Sequence, residues 1–375
     1  MEKVRLTEPL FLLHIVGMSP HDSGKFAQIR KIISILVYIS TVSLSMIELF
    51  FNYKNLETLI RATESFFTQY GLGWKIAIFV IYKTELVQII QLCDDLWSLD
   101  EFKIRHNFQF QHKFLRNFFL FYTGNLVILC TQFAVTAYFD NQFKSVIVYY
   151  GEQESFSENY DNFVFVLQVI YLYIGSLVVA GFDCFFFYLL GHAVSELKML
   201  TISFSCKEIG KKWSYEERFK YSVKHHIYIL ELLEKINNVY SVMLLNQHLC
   251  SLFGICFGIF LMTKDGIPPD VDHFSKWSTY IFTFVLQVWM YCFAGDQIIH
   301  WSLKIPDEIF YNNHYWNTKY SFKDGLNKII AIQRGQKAAG VSLGGFEMLH
   351  IGSFNIVIKN AVNFFMFMDK MYKRE

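Results

Sequence analysis

Charge is scarce in this chain. Asp, Glu, Lys and Arg make up 18% of its 375 residues, where a soluble domain carries about 25%. That deficit argues against a water-surrounded globule. The net charge is +1, so nothing points to nucleic acid or to a bulk acidic partner. Proline is also scarce, five in all, and no Gly/Ser-rich tract interrupts the chain, so no linker divides it. No internal repeat is visible, which weakens a transporter built from two inverted halves. There is no nucleophile elbow, phosphate loop or His-x-x-x-His site. No pair of cysteines or histidines has zinc-ligand spacing. His225 and His226 are adjacent rather than one turn apart, so they do not share a helical face. The chain is read as a non-enzyme with no metal and no cofactor. Residues 1–27 lack the apolar run and cleavage site of a signal peptide, so the first apolar span is expected to act as the membrane signal.

The seven cysteines exclude a further class by position. Cys130, Cys184, Cys250, Cys256 and Cys292 lie in apolar segments, and Cys93 and Cys206 in loops assigned below to the cytoplasm. None falls outside, so no extracellular disulfide framework is available. An N-x-S/T sequon is missing as well.

What the chain has is apolar length. Hydrophobic residues are 53% and aromatics 18%. They gather in seven runs: Ile32–Phe51, Phe66–Tyr82, Phe118–Phe139, Phe163–Leu190, Tyr240–Met262, Trp277–Ile299 and Gly344–Met368. About 20 apolar residues cross a bilayer as a helix, and only helices or closed barrels satisfy their own backbone in lipid. The runs are of helix length. Of the 34 Lys and Arg, 24 fall in the N-terminal arm and the second, fourth and sixth connections, and eight on the other side. The positive-inside rule then puts the N-terminus in the cytoplasm and the C-terminus outside. G-protein-coupled receptors have seven spans the other way up. Leu10–Val16 is apolar but too short to span, and reads as a short helix under the bundle.

Below the membrane, Ser214–Asn238 reads as a helix continuing into the fifth run, with Phe219, Val223, Ile227, Leu230, Leu233 and Ile236 near a 3.6 period. Ser321–Gln336 is a second helical stretch, ahead of the seventh run. Such extensions imply a packed cytoplasmic region where subunits could meet. Outside, Asp140–Asp161 is aromatic and acidic, either a lid over the bundle or a solvated loop.

Polar residues inside spans are costly and tend to be functional. The fourth span holds Gln168 and Asp183, the fifth Asn246 and Gln247, the sixth Gln287 and Asp296. The plainer reading of Asp183 and Asp296 is a packing or capping pair with a nearby Lys or His. In the seventh span Asn355, Lys359, Asn363, Phe367 and Met371 recur every four residues on one helical face. That stripe is either a wet path closed by an apolar ring of Phe367 and Met371 or a polar seam between helices of one bundle.

The C-terminal third adds a resemblance. Tyr291-Cys292-Phe293-Ala294-Gly295-Asp296-Gln297-Ile298 resembles the end of the sixth span in insect odorant receptors. Ile309-Phe310-Tyr311-Asn312-Asn313-His314-Tyr315-Trp316 is similar to that family's tyrosine-to-tryptophan segment, and Ile329 to Lys337 to its arginine-glutamine-lysine helix. Gly344-Gly345-Phe346, Phe354, Lys359 and Phe364-Phe365 continue the pattern, with weaker matches at Leu12-Leu13, Gly17, Pro20, Gln168, Asp183, His226 and Ile229-Leu230. The resemblance touches the whole chain and is specific from about residue 291 onward.

The resemblance implies an all-α membrane protein of seven transmembrane helices in a single domain, 1–375. It implies a ligand pocket in the outer half of spans two to six, a cytoplasmic anchor over about 205–240 and 302–343, and a pore helix over about 344–371. It implies an odorant-binding subunit of a ligand-gated cation channel, assembled with a co-receptor subunit as a heterotetramer in the plasma membrane of olfactory sensory neurons. Its partners would be a small volatile organic ligand, membrane lipid and permeating cations, with no nucleic acid. A long insertion before span five, expected of the co-receptor, is missing, so the chain looks like a tuning subunit. The pore and gate residues carried over are Asn355, Lys359, Asn363, Phe367, Lys370 and Met371. Ala338 departs from the family's usual proline, and Asp369 and Lys370 put charges where neutral residues are usual. Four symmetric lysines would repel cations, which favours a mixed tetramer. For the ligand, an aromatic cavity with few polar handles is required. The candidates are Phe67, Tyr70, Gly71 and Trp74 on span two; Thr131, Ala134, Val135 and Tyr138 on span three; Leu167, Tyr171 and Ile174 on span four; and Tyr280 and Phe284 on span six. Gly71 and Ala134 make room, and the lining suits a small aromatic such as a phenol or indole. A metabotropic seven-span chemoreceptor, a transporter and a gustatory-receptor-like channel are the competing readings.

Overall fold

The computed structural model describes residues 6–51, 56–94, 105–139, 158–205, 215–264, 266, 269, 271–311 and 322–373. Its elements are α1 (Thr7–Ile15), α2 (Lys25–Phe51), α3 (Leu56–Ile81), α4 (Lys83–Asp94), α5 (Arg105–Phe139), α6 (Glu158–Ser205), α7 (Tyr215–Thr263), α8 (Val271–Tyr311) and α9 (Phe322–Gly335), then β1 (Ser342–Leu343), β2 (Glu347–Met348) and α10 (Ile351–Tyr372). Asp140 to Gly151 and on to Ser157, most of the outside loop singled out above, lies outside the described residues.

The chain is all-α in class, with seven membrane-spanning helices. Among the described residues six helices are long and apolar enough to cross a bilayer, and α3 with α4 makes the seventh as a pair bent by 76°. The second span falls short alone because Arg61, Glu64 and Lys75 dilute it. α2 shows how the bilayer acts as solvent. Its Ile32, Leu36, Ile39 and Met46 are exposed, while Ser34, Thr41 and Ser45 are buried. The small polar side chains turn inward, where they find partners: Ser34 donates to the Val16 carbonyl at 3.1 Å, and Ser45 accepts from Gln69.

α6 has 48 residues and α7 has 49, about 72 Å each at 1.5 Å per residue. That is more than twice the roughly 30 Å core, so both continue as cytoplasmic helices, as the 3.6 period over Ser214–Asn238 predicts. α6 is apolar nearly all round from Val178 to Leu200 and is buried accordingly. It packs against α1, α5, α7 and α8. α1 packs on α6, with Leu12 and Leu13 buried.

The seventh run does not begin as helix at Gly344. Ser342–Met348 forms an antiparallel hairpin, Ser342 opposite Met348 and Leu343 opposite Glu347. Gly344 and Gly345 take φ of +60° and +81°, the left-handed region that suits glycine, and so turn the chain. Helix α10 then starts at Ile351, capped by His350, whose Nδ1 accepts from the Gly352 amide at 2.8 Å.

Candidate functional site

Two features of the bundle stand out as candidate sites. The first is a cavity of about 110 Å³ among α3, α5, α6, α7 and α8. Phe67, Tyr280 and Phe284 supply aromatic wall, Leu126, Leu129 and Val179 aliphatic wall, and Gly71 leaves space on α3. A Cβ at Gly71 would sit 3.6 Å from Cys250 Sγ and 3.8 Å from Gln247 Oε1, so the glycine keeps this side open without being forced. Phe67 is stacked on Phe253 with centroids 4.6 Å apart. Tyr280 and Phe284 meet edge to face at 5.0 Å.

The cavity has a polar group at each end. At one end, Thr68 Oγ1 lies 3.0 Å from the Tyr280 hydroxyl and donates to the buried Glu64 at 3.1 Å. At the other, Lys75, Tyr122 and Gln287 of the lining converge on Asp183, which is fully buried. Lys75 Nζ donates to its Oδ1 at 2.6 Å and the Tyr122 hydroxyl to its Oδ2 at 2.6 Å. Tyr291 and the Gln287 amide also donate to it. One carboxylate thus ties α3, α5 and α8 to α6. A buried carboxylate needs this many partners because its lone pairs have no water.

Of the thirteen residues expected at the ligand, Phe67, Gly71, Tyr280 and Phe284 line the cavity. The others do not. Tyr70 is partly exposed and donates to Asn246 at 3.2 Å, and Trp74 meets Tyr70 edge on. Thr131 bonds the Val127 carbonyl and the Tyr173 hydroxyl. Val135 and Tyr138 are exposed, and Ala134 and Leu167 are half-buried and outside the cavity lining. Tyr171 is buried in the core and Ile174 packs against it. Both faces of a membrane helix are apolar, so hydrophobic pattern alone cannot tell a cavity face from a lipid face. Lys75, Gln247 and Gln287 also line the cavity. The signal for them was in the sequence, since charged and amide side chains inside spans rarely lack a purpose.

The second feature is α10. Ser353, Val357 and Ala361 are its buried residues. Asn355, Lys359, Asn363, Phe367 and Met371 stand two positions further on, about 200° around the helix, and all are exposed, as is Lys370. The polar stripe therefore faces away from its own bundle rather than serving as a seam within it. Beyond it Asp369 pairs with Lys373 at 2.7 Å.

With this geometry in view, comparison with known proteins is direct. The family model described as 7tm Odorant receptor matches residues 55–362. The chain belongs to that family. The receptor is 27% identical over 329 residues to the Drosophila melanogaster protein named "Putative odorant receptor 92a", spanning 82% of this chain and 76% of that one. Odorant receptor 67c of the same fly is 29% identical over 150 residues, 40% of this chain and 35% of that one. The receptor's fold matches the insect olfactory receptor OR5 from Machilis hrabei in complex with eugenol, with a TM-score of 0.80 at 14% identity over 98% of this chain and 97% of that one. The OR5 structure described without eugenol gives 0.79 at 14% identity over 97% of each chain.

Proposed function

We propose that the receptor is the odorant-binding subunit of a heteromeric ligand-gated cation channel. A volatile ligand enters the cavity between α3 and α8, and α10 lines a central pore shared with co-receptor subunits. The observation that carries this reading is the outward polar stripe of α10. Asn355, Lys359 and Asn363 would be costly against lipid, so the face calls for water or another subunit. Phe367 is 59% exposed and Met371 50%, and beyond the polar stripe they form the apolar constriction that gates by dewetting. The family and the solved OR5 complex with eugenol support a small organic ligand, and the aromatic lining suits a small aromatic one.

Assembly is assigned to the cytoplasmic extensions. A groove of about 640 Å³ runs between α7, α9 and the end of α8, and Leu326, Ile329 and Ile330 of α9 are exposed beside it. An apolar surface of that kind marks a protein contact. The plasma membrane of olfactory sensory neurons is the matching location. The test is odorant-evoked current in cells expressing the chain with and without a co-receptor. Unitary currents only in the pair support the reading. Saturating flux without unitary currents, or a response intact without any co-receptor, refutes it.

A further inference from the structure

Lys75 and Gln247 give the cavity a chemical polarity that its aromatic walls do not. Lys75 is 2% exposed and lines the cavity. An ammonium has three donors. One goes to Asp183 Oδ1, and among the described residues no other acceptor lies within hydrogen-bond distance. The Phe182 ring faces the charge at 5.7 Å. The remaining donor capacity is available to whatever fills the cavity.

The orientation of Gln247 is fixed by a relay. An ionised carboxylate only accepts, so Gln287 presents its Nε2 to Asp183. Gln287 Oε1 is then the acceptor for Gln247 Nε2 at 2.7 Å. That nitrogen also donates to Ser251 Oγ at 3.2 Å. Gln247 Oε1 is left beside Gly71, with no donor among the described residues. The cavity floor therefore offers a cationic donor and an amide acceptor.

We infer that the cavity recognises a small neutral hydroxyl compound, a phenol or a short alcohol, whose oxygen accepts from Lys75 and donates to Gln247. This rests on the cavity being the odorant site. A hydroxyl is the small group that does both at one atom. An ether or ketone accepts only, and leaves Gln247 Oε1 without a partner. A protonated amine meets the Lys75 charge, and a carboxylate meets the Gln247 oxygen. The ion pair of Lys75 and Asp183 is neutral as a unit, so it calls for no charge on the ligand. Size sets the other limit. The cavity holds about 110 Å³, below the roughly 150 Å³ of an engineered cavity that takes benzene. A short alcohol fits that volume as it stands, and a single ring with a hydroxyl enters only if the walls give. Sites built to hydrogen-bond a hydroxyl reject analogues without one far more strongly than apolar pockets reject a methylene.

The test uses the full chain with co-receptor, read as dose–response to phenol, 4-methylphenol, anisole, toluene, 1-butanol and 1-hexanol. The wild type is expected to respond to the phenols at concentrations about tenfold or more below those for anisole and toluene. Gln247→Met removes the acceptor and should bring the phenol-to-anisole ratio toward one while the anisole response persists. The wild-type series needs no variant, so failure of Gln247→Met to reach the surface leaves the test standing. Equal potency of phenol and anisole in the wild type overturns the inference. So does an unchanged ratio in surface-expressed Gln247→Met, or silence toward every hydroxyl probe. Gly71→Phe separates this from the parent reading. If filling the cavity changes no odorant response, the cavity is not the odorant site. If it abolishes responses while the wild type shows no hydroxyl preference, the cavity stands and only the polar recognition falls.

Discussion

Asp183→Leu should be far more damaging than Lys75→Met, and Lys75→Met should partly repair it. Asp183 is fully buried and accepts from Lys75, Tyr122, Gln287 and Tyr291. Removing the carboxylate strands a buried ammonium, which costs about 3–5 kcal/mol. It also orphans three further donors at about 1–3 kcal/mol each. The total is at least about 6 kcal/mol, against a typical stability of about 5–15 kcal/mol. Lys75→Met keeps three donors on the carboxylate and should cost about 3 kcal/mol. In the double variant no charge remains to be buried, so about 2–4 kcal/mol of the Asp183→Leu loss should return. Thermal unfolding of detergent-purified protein, followed by tryptophan fluorescence, ranks the set, with surface labelling as the cellular readout. The expected order is wild type, Lys75→Met, the double variant, then Asp183→Leu. A double variant less stable than Asp183→Leu would refute the idea that a stranded charge dominates.

Three further outcomes are expected. With 24 of 34 positive residues assigned to one side, a C-terminal epitope should stain intact cells and an N-terminal one only permeabilised cells; the reverse pattern inverts the topology. Phe367→Ser, expressed with co-receptor, should wet the proposed constriction and raise ligand-free current, and Lys370→Gln should raise divalent entry; wild-type leak and selectivity in both would remove this face from the ion path. In the cytoplasmic part of α7, burial and then Arg334 push His226 down to about 4. The unfolded state binds a proton near pH 6.5, so stability should fall as pH drops from about 6.5 toward 4, by up to about 1.4 kcal/mol per unit. His226→Gln should flatten that slope in melts at pH 7.5 and pH 5, and an unchanged slope assigns the acid sensitivity to another group.

Most of the fold is legible in the sequence because bilayer thickness and positive charge leave strong one-dimensional marks. The long cytoplasmic reach of α7 follows from the period of Phe219, Val223, Ile227 and Leu230. The start of α10 does not, because the apolar run continues through a hairpin that only Gly344 and Gly345 betray. The candidate cavity is legible only in part, with four of the thirteen expected residues in its lining. Phe67 and Gly71, and Tyr280 and Phe284, are each one turn apart on a shared helical face and line it. Val135 and Tyr138 carry the same apolar signature on a face exposed at the surface of the bundle. The pairing of Lys75 with Asp183 joins helices 108 positions apart, and nothing local marks such a partnership.

The hairpin before α10 makes that helix a lever with one fixed end. Ser342 is held by Asn237 through its amide at 2.7 Å and its hydroxyl at 2.9 Å. The Gly344 amide donates to the Ser241 carbonyl at 3.0 Å. Gly295 of α8 lies so near the Leu349 carbonyl that a Cβ would stand 2.3 Å from it. At the far end the hold is looser: Phe364 and Tyr372 touch Phe253 and Phe260 of α7 edge to face. Directional bonds resist sliding, whereas ring edges permit it. From Ile351 to Met371 the helix is about 30 Å long. A pivot of about 5° at the hairpin would then carry Met371 through about 2.6 Å, roughly half a helical turn's rise. A displacement of α7 or α8 passed to the hairpin through Asn237 or Gly295 would therefore be largest at Met371.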